Sequence, residues 1–277
     1  MQFAINTPNF DGYADPRFVG ELAREAEEAG WDGYFLWDHI GADWPTAIAD
    51  PWVQLAVMAM STTRIKIGAL VTPIPRRRPA KLARETVTID HLSAGRLVFG
   101  AGIGSDSGRE YSCYGESPDD KLHGEMLDEG LEVLMGLWSG EEFNYTGKHY
   151  RIDKARFLPK PVQEPRIPVW VAGNWPNKKP FRRAAQWDGI CPIGRDGPMT
   201  PDDFREMLAY IREHRTSDGP FDVIHGGRAY EKTPEEAATM LSEYAAAGVT
   251  WWMEGFDWTN NLEDVREIIR RGPPTLP

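Results

Sequence analysis

The chain has 277 residues, of which 41% are hydrophobic and 26% charged, and this globular composition excludes a disordered or collagen-like protein. A formal charge of −11 argues against a broad surface for nucleic acid or anionic lipid. No apolar run approaches the roughly 18 residues of a membrane span, and the N-terminal residues lack a signal-peptide pattern, so we expect a cytoplasmic protein.

Short and nearly continuous apolar runs alternate along the chain with amphipathic segments. Eight such runs occupy residues 3–7, 34–40, 65–72, 97–102, 168–173, 189–193, 221–225 and 249–255. Runs of this kind are typical of strands buried on both faces, and their alternation with helices predicts a parallel sheet. A capping residue followed by proline marks four helix starts, at Asp15, Asp50, Thr200 and Thr233.

Eight strands with intervening helices predict an α/β fold, the (βα)8 TIM barrel, in a single domain of residues 1–277. A doubly wound open sheet is the alternative, but its usual Gly-x-Gly-x-x-Gly turn does not follow the first strand. About 60 residues separate the fourth and fifth runs. We therefore place an insertion between strands 4 and 5, at about residues 105–165, with a helix near 119–138 and a small hairpin at 143–150.

Polar residues at the C-terminal ends of the strands are the first candidates for chemistry, because barrel enzymes react at that end. The six histidines show neither His-x-His nor His-Glu-x-x-His spacing, so we predict no metal site. Segment 104–108 has Asp106 where a nucleophile elbow has serine, and no Walker phosphate loop is present.

Three strand-end segments suit an anionic cofactor. The glycines of segment 100–104 would let either a flat ring or, as we favour, a neighbouring strand approach the backbone. Segment 172–175 leads into a predicted helix near residues 177–187, whose first turn is either a phosphate cradle or a solvated basic turn. The run Arg76-Arg77-Arg78 between prolines suits phosphate or carboxylate, or is an exposed solubilising run.

The pair Asp38-His39 follows the second predicted strand directly. A histidine at that place can exchange a proton with a reacting group near neutral pH. The alternative is a structural histidine whose ring is satisfied by hydrogen bonds.

Ten segments carry a resemblance by their order along the chain. They are Trp37-Asp38-His39 and residues 27–33, 67–73, 78–86, 92–96, 100–104, 137–140, 143–150, 160–163 and 169–173. With them the chain resembles the luciferase-like flavin- or deazaflavin-dependent oxidoreductase family over nearly its whole length. The resemblance implies a (βα)8 barrel that holds reduced FMN or the deazaflavin coenzyme F420 at its C-terminal mouth.

The resemblance also assigns roles to residues. It implies that His39, with Asp38, lies beside the reactive ring, and that Trp44 corresponds to the aromatic residue that follows this histidine in relatives. These three are the expected catalytic residues. Deazaflavin-dependent dehydrogenases of the family often have a glutamate just after the fourth strand, where this chain has Ser105 and Asp106.

The cofactor-binding residues that the resemblance implies fall into three groups. Relatives carry a bulge against the ring face, often with a non-prolyl cis peptide, where this chain has Ala69 and Leu70. Contacts to the ring or ribityl chain are expected from Thr72, Gly102 and Asp106, and a phosphate-side loop is expected from Gly173, Asn174, Trp175 and Lys178.

The function that follows is an oxidoreductase acting on a small organic and apolar substrate, as a monooxygenase with FMN or a hydride-transfer enzyme with F420. The alternative is a cofactor-poor binding barrel without redox activity, because fold does not fix function. A flavin or deazaflavin reductase as partner and a homodimer are further expectations, whereas nucleic acid and membranes are not expected as partners.

Overall fold

The computed structural model describes residues 1–41, 43, 46–195 and 197–276. Nine parallel strands form one sheet that is nearly closed into a barrel, in the order β3-β2-β1-β11-β10-β9-β8-β5-β4, and β6 pairs with β7 in a separate antiparallel sheet. The strands are β1 (Gln2–Thr7), β2 (Gly33–Leu36), β3 (Lys66–Ala69), β4 (Thr72–Pro73), β5 (Phe99–Gly102), β6 (Glu142–Thr146), β7 (Arg151–Arg156), β8 (Val169–Trp175), β9 (Gly189–Gly194), β10 (Asp222–Gly227) and β11 (Trp251–Gly255).

All eight predicted strands and the predicted TIM-barrel fold are confirmed. The third barrel strand is divided into β3 and β4, because the chain leaves the ladder at Leu70 and Val71. The open-sheet alternative is wrong, since β4 pairs with β5 and a parallel bridge joins Ile67 to Leu97. The prediction of a single domain over residues 1–277 stays a prediction.

Eight α-helices are present in the described part of the chain, and none of them is long and apolar enough to cross a bilayer. They are α1 (Pro16–Glu28), α2 (Pro51–Ser61), α3 (Pro79–Leu92), α4 (Asp120–Trp138), α5 (Lys178–Ala184), α6 (Pro201–His214), α7 (Pro234–Ala246) and α8 (Leu262–Arg271). The four predicted caps are confirmed, because Asp15, Asp50, Thr200 and Thr233 each accept a backbone N–H of the first turn.

The lumen of the barrel is a small apolar core of its own. It contains Ala4, Phe35, Val98, Trp170, Ile224, Trp251 and Met253, all of them buried. A larger core lies between the outer face of the sheet and the helices. Because side chains alternate along a strand, each strand contributes apolar side chains to both cores. The strand segments of the sequence are therefore almost continuously apolar.

The predicted insertion contains α4 and the hairpin of β6 and β7, between β5 and β8. The predicted hairpin at 143–150 is too short, because its second strand begins only at Arg151. The Glu129 carboxylate accepts the backbone N–H groups of Lys148 (2.8 Å), His149 (2.9 Å) and Tyr150 (3.1 Å). These residues therefore form the turn instead of the strand.

The buried guanidinium of Arg96 fastens α2 to the approach to β5. Its Nη1 donates to Thr62 Oγ1 (2.7 Å) and to the Ile65 carbonyl (3.0 Å), and its Nη2 donates to the carbonyls of Ala59 and Thr62 (2.9 Å each). Its Nε donates to the Ser93 carbonyl at 2.7 Å. All five donors are used, so the side chain satisfies carbonyls that a helix end and two loops leave without partners.

We expect Arg96→Lys to lower the free energy of unfolding by about 2–4 kcal/mol, because one ammonium group cannot replace a five-donor fork among buried carbonyls. Denaturant titration measures the change. Arg24→Lys is the matched control, because Arg24 is an exposed residue of α1 that pairs with Glu28, and we expect a change within about 0.5 kcal/mol. Equal stabilities for the two variants would contradict the assigned role.

Candidate functional site

The backbone of His39 is fixed at the mouth of the barrel, just after β2. The Asn9 amide donates to the carbonyls of His39 and Ala49, both at 2.7 Å, and its Oδ1 accepts from the His39 backbone N–H at 3.1 Å. Asn9 is buried in the loop that follows β1. One side chain thus joins the loops after the first two strands and positions the histidine.

The ring of His39 is held by a buried carboxylate. Its Nδ1 lies 3.0 Å from Glu110 Oε2, and Glu110 Oε1 accepts from the backbone N–H groups of Ile40 (2.8 Å) and Gly41 (3.0 Å). Burial alone would raise the pKa of Glu110, but the His39 hydrogen bond and the charge of Arg76 lower that pKa to about 2. An ionised carboxylate only accepts hydrogen bonds, so His39 Nδ1 carries the proton that it donates to Glu110.

Two of the three consecutive arginines neutralise carboxylates of their own chain. Arg76 Nη1 lies 2.9 Å from Glu110 Oε2, and Arg76 Nη2 lies 3.0 Å from Asp38 Oδ1. Arg77 Nη2 donates to both Asp38 oxygens, at 2.9 and 2.7 Å. The run of three arginines was predicted either to bind phosphate or carboxylate or to be an exposed solubilising run. Arg76 and Arg77 bind carboxylates of the chain itself, and of the three arginines only Arg78 is exposed.

The two arginines enclose the Asp38 side chain. Its side chain is fully buried between the two guanidinium groups, and Arg76 also donates to its backbone carbonyl at 2.6 Å. A carboxylate so enclosed cannot reach a molecule in the mouth. Asp38 therefore positions the loop that carries His39, and the catalytic role expected for it stays a prediction.

Two aromatic rings pack against His39. Phe10 and Trp37 pack edge to face against it, with ring centroids 5.8 and 5.9 Å away. Trp37 Nε1 donates to Asn6 Oδ1 at 2.7 Å, which fixes the indole. Trp258, which is 55% exposed, packs against both Phe10 and Trp37 and extends this wall to the surface.

A cavity of about 270 Å³ adjoins this aromatic cluster. It opens between the C-terminal ends of β1, β2, β10 and β11, and Trp37, Met253 and Phe256 supply its apolar walls. Trp37 is therefore shared between the cavity and His39. No residue of the segment 105–121 lines this cavity.

The predicted ring-contact residues lie on the opposite side of the barrel mouth. The peptide bond between Leu70 and Val71 is cis, within the segment where the resemblance implies a bulge. Thr72 is buried, and its hydroxyl has no hydrogen-bond partner among the described residues. A side chain at Gly102 would place Cβ 2.5 Å from a Val71 methyl group, so close packing explains that glycine.

Asp106 satisfies its own loop. Its Oδ1 accepts from the backbone N–H groups of Tyr111 (2.8 Å) and Ser112 (3.0 Å), and these bonds lower the pKa of Asp106. The carboxylate thereby shapes the loop that contains Glu110. The cofactor contact predicted for Asp106 stays a prediction, and Trp44 lies outside the described residues.

The predicted phosphate-side loop combines packing residues with one exposed cation. A Cβ at Gly173 would lie 2.5 Å from Pro180 Cβ, so this glycine lets α5 pack against β8. Trp175 is buried, whereas Asn174 is exposed. Lys178 Nζ lies 4.0 Å from the Trp175 ring centroid and 3.7 Å from Glu206 Oε1, at the exposed start of α5.

Two other polar residues at strand ends point away from the mouth. Glu254 accepts from Trp252 Nε1 and from the Ala229 backbone N–H, both at 3.0 Å, and burial raises its pKa to about 7. His225 packs against Phe204, and burial lowers its pKa to about 4. Both residues stand next to lumen residues on their strands. Their side chains therefore lie on the outer face of the sheet, toward the helices.

Glu110 and Asn9 hold His39 through its ring and its backbone, and neither residue is predicted from the sequence. Glu110 lies eight residues after Gly102, in a loop whose sequence has no helix or strand periodicity and no recognised motif. No local pattern therefore identifies it. Asn9 did carry a signal, because an asparagine just after a barrel strand is a polar residue at the reactive end.

Comparison with known proteins gives a match to one family over nearly the whole chain. The family model described as luciferase-like monooxygenase matches residues 1–271. An uncharacterised protein of Mycobacterium tuberculosis is 38% identical over 224 residues, which cover 80% of this chain and 74% of that protein.

A named relative and a solved structure are also similar. The F420-dependent glucose-6-phosphate dehydrogenase of Amycolatopsis mediterranei is 30% identical over 234 residues, covering 80% of this chain but only 62% of that enzyme. The structure of an F420-dependent secondary alcohol dehydrogenase, in complex with an F420-acetone adduct, superposes with a TM-score of 0.81 at 18% identity, covering 99% of this chain and 98% of that one. This likeness shows the fold.

We expect Glu110→Gln to destabilise the protein at pH 7, because it removes the charge that faces Arg76 and His39. The folded-state pKa of Glu110, about 2, lies below the ordinary value of 4.5. The stability contributed by this ionisation is therefore present above pH 4.5 and is lost as pH falls toward 2.

Denaturant unfolding of wild type and variant across this pH range measures the difference between them. Glu116→Gln, in the same loop but exposed, is the control and should match wild type throughout. A wild-type advantage that persisted unchanged from pH 7 to pH 2 would show that the carboxylate charge is not its source.

Proposed function

The chain belongs to the luciferase-like monooxygenase family, and on that basis we propose that it is an F420-dependent oxidoreductase that interconverts a small alcohol and its carbonyl compound. The observation that carries this proposal is the His39 ring at the barrel mouth, whose Nδ1 is held by an ionised Glu110. The F420-dependent dehydrogenase among its relatives supports F420 over FMN.

The residues at the mouth fit a planar cofactor. The buried Thr72 hydroxyl without a partner is a group that a polar ring atom or ribityl hydroxyl would satisfy. It belongs to β4, the second part of the third barrel strand, directly after the cis peptide bond between Leu70 and Val71. Ala69, Leu70 and Thr72 are accordingly our proposed ring contacts, with Gly102 shaping the strand beside them.

The anionic tail of the cofactor is assigned to the loop after β8. Asn174 and Lys178 are exposed there, and Gly173 and Trp175 hold α5 in place beside them. Lys178 lies near one carboxylate, Glu206, at 3.7 Å and is 47% exposed, so its ammonium group can exchange that partner for a phosphate. Arg76 and Arg77 are not available for this role, because Asp38 and Glu110 occupy them.

F420, when bound, accepts or donates a hydride. The protein has to manage the proton that accompanies it. When the alcohol is oxidised, its carbon loses a hydride and its hydroxyl gives a proton to His39 Nε2, so that a carbonyl forms and two electrons leave with the hydride. Glu110 stabilises the resulting imidazolium through Nδ1, and the Phe10 and Trp37 rings pack edge to face against it.

We expect the purified protein to bind F420 with micromolar affinity and more tightly than FMN in a fluorescence titration. Thr72→Val should weaken F420 binding about 3–10-fold, because it removes one hydrogen bond of about 0.5–1.5 kcal/mol. The unfolding free energy of this variant should not fall, since the lost hydroxyl has no protein partner.

Thr88→Val is the matched control, because Thr88 is exposed on α3 far from the mouth, and F420 affinity should stay at the wild-type value. Tighter binding of FMN than of F420 would instead favour a flavin-dependent monooxygenase. Binding of neither cofactor in either redox state would favour the cofactor-poor barrel.

We expect His39→Ala to leave F420 affinity within a few-fold of wild type while lowering kcat by about 10²-fold or more, the range of general acid–base contributions. Steady-state kinetics and the same titration separate the two effects. His91→Ala serves as the control, because His91 is an exposed residue at the end of α3. Unchanged kcat in His39→Ala would remove His39 from the mechanism.

A further inference from the structure

The cavity beside His39 lies across the barrel mouth from the proposed cofactor contacts. Its residues follow the first, second, seventh and eighth barrel strands, whereas Thr72, Gly102 and Gly173 belong to the third, fourth and fifth. In an eight-stranded barrel the third and fourth strands face the seventh and eighth. The cavity is therefore placed to hold a substrate opposite the cofactor, and its wall residue Trp37 packs against the His39 ring.

Two glycines give the cavity its depth. Gly226 and Gly255 have the same parity as the lumen residues Ile224 and Met253 on their strands. A Cβ at Gly226 would meet nothing closer than Met253 O at 3.9 Å, and one at Gly255 nothing closer than Gly227 O at 3.6 Å. The protein thus leaves space where it could carry methyl groups without a clash.

The cavity is small, and it opens to solvent at the barrel mouth. About 270 Å³ lies just below the range of roughly 300–1,000 Å³ that holds drug-sized ligands. The walls supplied by Trp37, Met253 and Phe256 are apolar. A compact molecule with an apolar body fits these walls.

The cation that lines the cavity is already neutralised. Arg228 Nη1 lies 3.1 Å from Glu231 Oε1, and Arg228 Nη2 donates to Asp257 Oδ2. Asp257 itself lines the cavity. Two carboxylates against one guanidinium leave a net negative charge there, which opposes a phosphate or carboxylate on the substrate.

The helices that follow the seventh and eighth strands also oppose an anion. Barrel enzymes often bind phosphate at this place, through helix N-termini. Here the Thr233 side chain caps α7, and Glu235 and Glu236 fill its first turn. Asn261 caps α8, whose first turn contains Glu263 and Asp264. The backbone N–H groups that would hold a phosphate are thus capped and screened by carboxylates.

We propose that this cavity takes an uncharged, compact alcohol or carbonyl compound with an apolar body, and that it does not take a sugar phosphate. The reaction in this inference rests on the proposed F420-dependent function. The size and charge of the expected substrate follow from the cavity alone. It separates this chain from the glucose-6-phosphate dehydrogenases among its relatives.

Cyclohexanol is a suitable neutral probe, and glucose 6-phosphate is the charged one. With F420-loaded protein, we expect cyclohexanol oxidation with kcat/KM at least 10²-fold above that for glucose 6-phosphate. Gly226→Ala/Gly255→Ala should raise KM for cyclohexanol at least 10-fold and leave F420 affinity within 2-fold. Gly124→Ala is the control, because Gly124 lies in α4 where a methyl group meets only ordinary contacts, and KM should not change.

A second variant tests the charge argument. Glu231→Gln/Asp257→Asn leaves Arg228 without its carboxylates, so inorganic phosphate should become a competitive inhibitor at least 10-fold stronger than against wild type. Equal inhibition of both proteins would contradict the neutralised-cation argument. A higher kcat/KM for glucose 6-phosphate than for cyclohexanol would overturn the whole inference.

Binding without cofactor distinguishes failure of this inference from failure of the proposed function. Saturation-transfer NMR should detect cyclohexanol on the wild-type protein and on Gly124→Ala, with the signal lost in Gly226→Ala/Gly255→Ala. That pattern in a protein unable to bind F420 would support the cavity and reject the proposed cofactor. Absence of the cyclohexanol signal, or its persistence in the double variant, would reject the cavity.

Discussion

The close approach of the third and fourth barrel strands is the constraint on which the remaining structure depends. A Cβ at Gly68 would lie 2.2 Å from Val98 O, and a Cβ at Gly100 would lie 2.2 Å from Ala69 O, so only glycine permits this contact. Closure at this seam brings the C-terminal ends of all barrel strands to one rim. Residues as distant in sequence as His39, Thr72 and Met253 reach the same mouth for that reason.

Charge then fixes the loops on this rim. Two arginines from the turn after β4 bind one carboxylate from the loop after β2, and Arg76 also binds one from the loop after β5. Burying such ions costs desolvation energy, so the network contributes less to net stability than its number of contacts suggests. The main effect of the network is geometric. It joins three loops that the sheet alone would not order, and these loops fix the orientation of the His39 ring.

The strands and the helix starts were predictable from the sequence, because hydrophobic periodicity and capping residues mark them locally. Buried strands and proline-started helices have local signals, and all eight strands were found. The predicted strand at residues 34–40 ends at Leu36, however, because Asp38 and the residues after it bond to side chains from other loops. Glu110 and the pairing of Arg76 escaped prediction for the same reason, since they depend on contacts between distant residues, such as Arg76 with Asp38, 38 residues apart, and His39 with Glu110, 71 residues apart. Long-range ion pairs leave no local pattern.

The mouth is divided into a side ordered by charge and a side shaped by absent side chains. Any change at Asp38, Glu110 or Arg76 disturbs partners on several loops, so that side tolerates little variation. Gly226 and Gly255 have open space before them, and a glycine codon becomes an alanine codon by a single base change. Mutation of these glycines can therefore change which molecules the cavity accepts without changing His39 and the residues that hold it. A new substrate preference would require only one or two base changes.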